Sequence, residues 1–340
     1  MRRFTLACAA ALVCGSWAAG QQQQFAELGD IKLASGEVLR ECRIGYRTFG
    51  RLDSGRANAI LFPSWAGGTS EQLAPQFAPG KPLNLSRYYV IAVDALANGV
   101  SSSPSNSRAQ PRMRFPRITI RDMVETEHRL LTAKLGISHV KAVMGISMGG
   151  MQTFQWMVSY PDFMDRAIAI AGSPRLAPYD LLHWQTQIDA IMNDAAWNGG
   201  EYTANPARVA EAEFGALLLT TPEHYNEHTT REQVLKQLRA AKAATGGSDA
   251  NDRIRQCQAM MSVDVSEGFG GSLAAAARTV KARALVVTAT TDHVVTPGPA
   301  REFARLLKAD VLELDGNCGH LANSCQEALV GRSVTAFLAK

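Results

Sequence analysis

The chain has 340 residues, of which 46% are hydrophobic and 19% are charged, and its formal net charge is +4. This composition is typical of a globular protein that is long enough for one large core or for a core with an insertion. The small charge and the lack of a basic run in the sequence argue against a nucleic-acid-binding protein.

The first 20 residues have the three-part pattern of a secretory signal peptide. Arg2 and Arg3 precede an apolar run over residues 4–19, and small residues end the segment at Gly20. The run is short for a membrane anchor, and a disordered tail is the other alternative. The pattern predicts cleavage near Gly20 and export to the periplasm or the medium, which leaves a mature protein without a membrane segment.

The next segments predict strands that alternate with helices. Residues 31–33 and 38–49 are expected to form an antiparallel pair, preceded by residues 21–24 without fixed structure. Further strands are predicted over residues 59–63, 88–94, 140–144 and 166–171, and helices over residues 119–135 and 150–160. This alternation is typical of an α/β fold, with a mostly parallel sheet and helices on both faces.

The pattern changes over residues 175–275, where no clear strand is predicted. Helices over residues 181–192, 206–219 and 231–244 indicate an inserted helical lid over the edge of the sheet. The sheet resumes with strands 284–289 and 311–314, separated by a helix over 299–307 and followed by a last helix over 322–338. The predicted organisation is a signal peptide (1–20), a first core part (21–174), the lid (175–275) and a second core part (276–340).

The segment Gly145-Ile146-Ser147-Met148-Gly149 stands between a predicted buried strand and a predicted helix. The pattern G-x-S-x-G in this context indicates a nucleophile elbow, in which the serine sits on a strained turn with its hydroxyl exposed. The flanking glycines fit because a Cβ atom at either position would clash in so tight a turn. An ordinary turn whose serine caps the helix is the alternative interpretation.

An acid and a histidine follow the serine in the order that a catalytic triad needs. Asp292 comes after the strand 284–289, and His320 comes after the strand 311–314. Because the carboxyl ends of parallel strands meet at one edge of a sheet, we expect both to converge on Ser147. Ser147 would attack an acyl carbon, His320 would move the proton, and Asp292 would orient the imidazole and stabilise its charged form.

Several alternatives stay open at these positions. Asp292 could cap the following helix, Asp94 and Asp315 are alternative acids, and His293 is a weaker candidate base because it precedes the last strand. The other histidines are expected at the surface or in packing: His128, His139, His183, His224 and His228. The last two are four residues apart but lack other ligands near them in the sequence, so no metal site is predicted.

Acyl transfer also needs hydrogen-bond donors for the oxyanion of the tetrahedral intermediate. The predicted donors are the backbone N–H of Met148, which follows the nucleophile, and that of Trp65, in the glycine-rich loop after the strand 59–63. Trp65 could instead serve only in packing, or its indole could form a wall of the acyl pocket.

The cysteines of the chain indicate where disulfides could form, including next to His320. Four cysteines remain after the predicted cleavage: Cys42, Cys257, Cys318 and Cys325. An even number in an exported chain indicates disulfides, and four cysteines allow three pairings. Cys318 and Cys325 lie on either side of His320, so a bridge between them would hold the histidine loop. Four buried free thiols are the alternative, and the spacing is not that of a zinc site.

Four segments of the chain resemble the homoserine O-acetyltransferase-like branch of the α/β-hydrolase superfamily. They are residues 33–37 (LASGE), 44–50 (IGYRTFG), the elbow continued over 148–152 (MGGMQ), and 196–202 (AWNGGEY). The resemblance covers nearly all of the mature chain. It implies an α/β-hydrolase fold, matches Ser147, Asp292 and His320 to the family triad and Trp65 to the oxyanion loop, and implies pairing of two copies through the lid helices.

The chain departs from homoserine transferases at two places. Pro63 and Ser64 stand where those enzymes usually have a histidine, and Arg208 is the one basic residue between Ile188 and Thr221, where those enzymes use basic residues to hold the amino-acid carboxylate. An exported enzyme would also meet little acyl-CoA. We therefore expect hydrolysis of a small acyl ester or amide through an acyl-serine, without a cofactor. Transfer from acetyl-CoA, as a co-substrate, to homoserine is the alternative, and an inactive binding protein on this fold is a third hypothesis.

Overall fold

An eight-stranded sheet lies at the centre of this computed structural model, which describes residues 22–243 and 247–340. The predicted signal peptide lies outside these ranges and stays a prediction. The strands are β1 (Gln24–Lys32), β2 (Val38–Phe49), β3 (Ala59–Pro63), β4 (Tyr89–Val93), β5 (Val140–Ile146), β6 (Met164–Ile170), β7 (Arg283–Ala289) and β8 (Asp310–Leu314). Their spatial order is β1-β2-β4-β3-β5-β6-β7-β8.

The sheet is mostly parallel, as predicted. β2 pairs antiparallel with β1 and β4, and every pairing from β4 through β3 to β8 is parallel. Alternate residues of the central strands enter two separate apolar cores; Leu61 and Val143 belong to one, and Phe62 and Met144 to the other. Because successive side chains of a strand point to opposite faces, one core lies on each side of the sheet.

Twelve α-helices occur in the described ranges. They are α1 (Ser70–Leu73), α2 (Ile120–Arg129), α3 (Met148–Ser159), α4 (Pro178–Met192), α5 (Val209–Leu219), α6 (Pro222–His228), α7 (Arg231–Ala243), α8 (Ala250–Met261), α9 (Leu273–Ala277), α10 (Gly298–Leu307), α11 (Ala322–Cys325) and α12 (Glu327–Ala339). Apolar side chains of α2, α3 and α10 enter one core, and those of α12 enter the other. None of these helices has both the length and the apolar character that a membrane crossing requires.

β1 begins earlier than the sequence predicts. Gln24 pairs with Tyr46 of β2, so the expectation that residues 21–24 have no fixed structure is wrong at Gln24. This edge strand has register shifts on both sides of Gly29, and it buries only Ala26 and Ile31. It therefore lacks the regular apolar alternation by which a half-buried strand is recognised.

The region between β6 and β7 contains the six helices α4–α9, of which α6, α8 and α9 were not predicted. Helix α8 lacks the apolar periodicity that predicts a helix, because many of its buried side chains are polar, among them Asn251, Asp252 and Gln256. They bind backbone and side-chain partners on neighbouring loops, as in the pair of hydrogen bonds from Ser105 to Asp252. The extent of this region as a lid, residues 175–275, stays a prediction.

Candidate active site

Ser147 occupies the turn between β5 and α3. Its backbone has φ 58° and ψ −121°, a conformation that is strained for any residue with a side chain. The Ser147 N–H donates to the carbonyl oxygen of Ile170, which ties the turn to β6. The Ser147 side chain makes no capping hydrogen bond to α3, so the alternative that this serine caps the helix is wrong.

The two glycines of this turn leave no room for a side chain. A Cβ atom at Gly145 would lie 2.2 Å from the carbonyl oxygen of Gly149, and one at Gly149 would lie 2.6 Å from the carbonyl oxygen of Pro63. Both contacts are with backbone atoms, which cannot turn away as a side chain can. The predicted clash is confirmed, and the second contact shows that α3 begins directly against the end of β3.

We expect Gly145→Ala to destabilise the protein by about 1–3 kcal/mol or more, because the methyl group forces the backbone of the turn apart. Gly55→Ala is the matched control, since a Cβ atom there would have one neighbour, Asp53 Oδ1, at 3.8 Å. The measurement is the urea midpoint of each variant against the wild type. Equal midpoints for both variants would contradict this description of the turn.

The three residues of the predicted triad lie in one hydrogen-bonded line. His320 Nε2 is 2.9 Å from Ser147 Oγ, and His320 Nδ1 is 2.7 Å from Asp292 Oδ2. The other oxygen of Asp292 accepts the backbone N–H groups of Val294 at 2.8 Å and Val295 at 2.9 Å. The Asp292 carboxylate is buried and its orientation is fixed, so it can hold the imidazole with Nε2 facing the serine hydroxyl.

The structure decides among the candidates that the sequence left open. Asp94 is buried at the end of β4 and accepts hydrogen bonds from Ser70 and Gln23, so it holds the loops of that edge together. Asp315 and His293 are exposed. Within the described residues, neither Asp94 nor Asp315 contacts His320, whose Nδ1 faces Asp292.

The two N–H groups predicted as oxyanion donors lie on segments that pack together. Gln152 of α3 donates to the carbonyl oxygen of Ser64 at 3.2 Å, and Gly67 donates to Gln256 of α8 at 2.7 Å, so the loop after β3 is held from both sides. Within residues 22–243 and 247–340, the N–H groups of Trp65 and Met148 donate to no protein acceptor. Both are therefore available to a ligand.

A cavity of about 500 Å³ opens on Ser147 and His320. Trp65 lines part of this cavity, which agrees with the alternative that placed it at the wall of the acyl pocket. The rest of the wall includes residues from α4, α5 and α8: His183, Trp184, Gln187, Glu211 and Arg253. Gln187, Glu211 and Arg253 were not predicted as site residues, because only the packing of three helices brings them together.

The polar residues of this wall form a connected chain. Arg253 Nε donates to Glu211 Oε1 at 2.9 Å, and Arg253 Nη2 donates to Gln187 Oε1 at 2.5 Å. The Gln187 amide in turn contacts His183 Nε2. Burial, together with the charges of Arg253 and His320, lowers the pKa of His183 to about 4. His183 is therefore a neutral wall residue at neutral pH and carries no charge for a ligand.

Cys318 and Cys325 are joined by a disulfide on either side of His320, which is one of the pairings that the cysteine count allows. Cys42 and Cys257 are buried free thiols. His224 of α6 also reaches this loop, with Nε2 3.9 Å from Cys318 Sγ. The fold therefore brings His224 near two sulfur atoms from a distant part of the sequence.

Comparison with known proteins assigns the family. Residues 60–324 match the family described as alpha/beta hydrolase fold. The chain belongs to this family. This α/β-hydrolase is 33% identical over 286 residues to ethyl acetate hydrolase of Pseudomonas veronii, which covers 80% of this chain and 81% of that protein. It is 29% identical over 353 residues to homoserine O-acetyltransferase of Methanococcoides burtonii, which covers 91% of this chain and 72% of that protein.

A solved structure gives the same relationship. The acetylester hydrolase from Corynebacterium glutamicum superposes with a TM-score of 0.87 at 27% identity, covering 94% of this chain and 97% of that chain. The predicted resemblance to the homoserine O-acetyltransferase-like branch is confirmed, and the relatives include esterases as well as acyltransferases. This α/β-hydrolase is an enzyme of serine-dependent acyl transfer.

Proposed function

We propose that this α/β-hydrolase cleaves a small acyl ester by way of an acyl-serine at Ser147, with water as the final acceptor. The observation that carries the proposal is the line from Ser147 through His320 to Asp292, with hydrogen bonds of 2.9 Å and 2.7 Å, at the wall of a cavity. The activities for which two relatives are named, hydrolysis of ethyl acetate and of acetyl esters, favour acetate as the acyl group.

In the first half of the reaction, Ser147 Oγ attacks the ester carbonyl carbon while its proton passes to His320 Nε2. The carbonyl oxygen becomes an oxyanion, which the N–H groups of Trp65 and Met148 are free to stabilise. Asp292 stays ionised and stabilises the imidazolium through Nδ1–H. The intermediate collapses when the bond to the alcohol oxygen breaks and His320 returns the proton to the leaving alcohol.

In the second half, water takes the place of the alcohol. His320 Nε2 accepts a proton from the water as its oxygen attacks the acyl carbon, and the same proton then goes to Ser147 Oγ as the acyl bond breaks. The products are a carboxylic acid, an alcohol and the free enzyme. No step needs a cofactor.

Transfer of an acetyl group to homoserine is the second candidate, because a relative with that name matches 91% of this chain. The charges of the cavity wall favour hydrolysis. Arg253 is a cation that faces the cavity, and it already donates to Glu211 and Gln187. Arg208, the basic residue noted in the sequence, also pairs with Glu211, so an amino-acid carboxylate would have to compete with a built-in acid.

The test is a panel of p-nitrophenyl esters of increasing acyl length, together with acetyl-CoA assayed with and without homoserine. We expect turnover to be fastest with the acetyl ester and to decline as the acyl chain lengthens. We also expect no homoserine-dependent release of CoA thiol. Release of thiol only with homoserine, with no hydrolysis of any short ester, would establish the transferase instead.

A further inference from the structure

A second group of side chains lies beside the His320 loop and takes no part in the reaction described above. The ligand atoms of His224, Cys318 and Cys325 all lie within 4.8 Å of one another. His224 comes from α6, whereas the two cysteines border the loop of His320. Sulfur and imidazole nitrogen are the ligands that Zn²⁺ prefers in proteins.

We propose that reduction of the Cys318–Cys325 disulfide creates a zinc site whose ligands are the two cysteine sulfurs and Nε2 of His224. A fourth position is left for water, which gives the tetrahedral coordination that zinc favours. The disulfide and the metal site exclude one another because they use the same two sulfurs. The inference does not rest on the proposed reaction.

The spacing of the group suits a metal. Zinc bond lengths of about 2.3 Å to sulfur and about 2.0 Å to nitrogen place such ligands roughly 3.5 Å apart on a tetrahedron. His224 Nε2 is 3.9 Å from Cys318 Sγ. Once the S–S bond is broken, the side chain of Cys325, an exposed residue at the end of the short helix α11, can rotate about its Cα–Cβ bond to bring the sulfur to the metal.

The surroundings of His224 select the correct nitrogen. Its Nδ1 lies 3.3 Å from Asn317 Oδ1, and the amide nitrogen of Asn317 donates to Glu227 at 3.0 Å. The hydrogen bond to Glu227 fixes the orientation of the Asn317 amide, so its oxygen faces His224 as an acceptor. Nδ1 of His224 therefore carries the proton, and Nε2 presents a lone pair. Metal-binding histidines are usually fixed by such a partner on the second nitrogen.

The backbone also holds the two halves of the site together before any metal arrives. The carbonyl oxygen of Asn317 accepts both the N–H of Thr221 at 3.2 Å and the Thr221 hydroxyl at 2.8 Å. Thr221 is the N-cap of α6, so the start of the helix that carries His224 is fixed against the residue that precedes Cys318. Little chain order has to be created on binding.

The experiment uses the full chain, reduced by a phosphine that does not compete for the metal. The phosphine gives two electrons to the S–S bond and takes the oxygen of one water as its oxide, while the two protons of that water go to the sulfurs. After removal of the phosphine without oxygen, Co²⁺ is added as a coloured substitute for Zn²⁺. Binding displaces the two thiol protons to the buffer.

We expect thiolate-to-cobalt charge-transfer absorption that saturates at one ion per chain and disappears when Zn²⁺ is added. The oxidised protein should show none. Cys318→Ser should abolish the absorption, and Asn317→Ala should weaken cobalt binding by about 10–100-fold with the fold intact by circular dichroism. Cys257→Ser is the control and should bind as the wild type does, because burial raises the pKa of that thiol and keeps it protonated.

Two results would overturn the proposal. One is reduced wild-type protein that is folded, has the thiols of Cys318 and Cys325 free and yet shows no charge-transfer absorption. The other is absorption that survives in Cys318→Ser and is lost in Cys257→Ser, which would assign the metal to other residues. Neither result bears on ester hydrolysis, which is measured separately on the oxidised enzyme.

Discussion

Ser147→Ala should lower kcat for a short acyl ester by roughly 10⁶-fold, the loss seen when a serine hydrolase is deprived of its nucleophile. The size of the effect follows from the line of hydrogen bonds in which Ser147 Oγ stands 2.9 Å from His320 Nε2. Without the hydroxyl no acyl-serine forms, and what remains is the weaker catalysis by the oxyanion donors and binding alone.

Ser159→Ala is the matched control for this experiment, because Ser159 is the last residue of α3, the helix that begins directly after Ser147. Its hydroxyl accepts a hydrogen bond from Gln155 at 2.8 Å, and Ser159 is not among the residues that line the cavity. We expect wild-type kcat from this variant. A fluorophosphonate should label the wild type and Ser159→Ala at Ser147 and leave Ser147→Ala unlabelled; equal activity of the two variants would remove Ser147 from the mechanism.

The convergence of the triad could be predicted because it depends on topology more than on packing. Ser147, Asp292 and His320 each follow a strand, and β5, β7 and β8 all run parallel in the same sheet. Parallel strands place the loops after their carboxyl ends at one edge whatever the side chains of the helices do. A correct assignment of the strands was therefore sufficient to bring together residues that are distant in the chain.

The wall of the cavity could not be predicted for the opposite reason. His183 and Gln187 on α4, Glu211 on α5 and Arg253 on α8 meet only through the crossing of three helices, which no local pattern encodes. Arg253 also lies on α8, outside the segment between Ile188 and Thr221 in which homoserine transferases are expected to carry basic residues. The contact of His224 with Cys318 could not be predicted either, because sequence spacing gives no sign that α6 lies against the His320 loop.

The choice of acid is a case in which sequence left alternatives and hydrogen bonds decide. Asp94, Asp292 and Asp315 all follow strands of the sheet. Asp94 accepts hydrogen bonds from Ser70 and Gln23, and Asp315 is exposed. Asp292, in contrast, faces His320 Nδ1. A pattern of residue types cannot distinguish an acid that holds a loop from one that orients an imidazole, because both are buried carboxylates at the end of a strand.

Asp292→Asn tests this choice directly, and we expect it to lower kcat by about 10⁴-fold, equivalent to about 5.5 kcal/mol of transition-state stabilisation. The change is nearly isosteric, and Oδ1 can still accept the N–H groups of Val294 and Val295. The amide nitrogen at the other position, however, donates to His320 Nδ1. The imidazole then carries its proton on Nε2 and cannot accept the proton of Ser147.

The controls separate this chemistry from a loss of structure. Asp315→Asn changes an exposed acid in the same part of the sheet and should keep wild-type kcat. The thermal midpoint of Asp292→Asn should stay near that of the wild type, because the N–H groups of Val294 and Val295 can still donate to Oδ1. Wild-type kcat in Asp292→Asn together with inactivity of folded Asp94→Asn or Asp315→Asn would assign the role to another acid. A proton on the wrong nitrogen of His320 is a defect of tautomer alone, so the variant should still bind substrate with a KM close to that of the wild type.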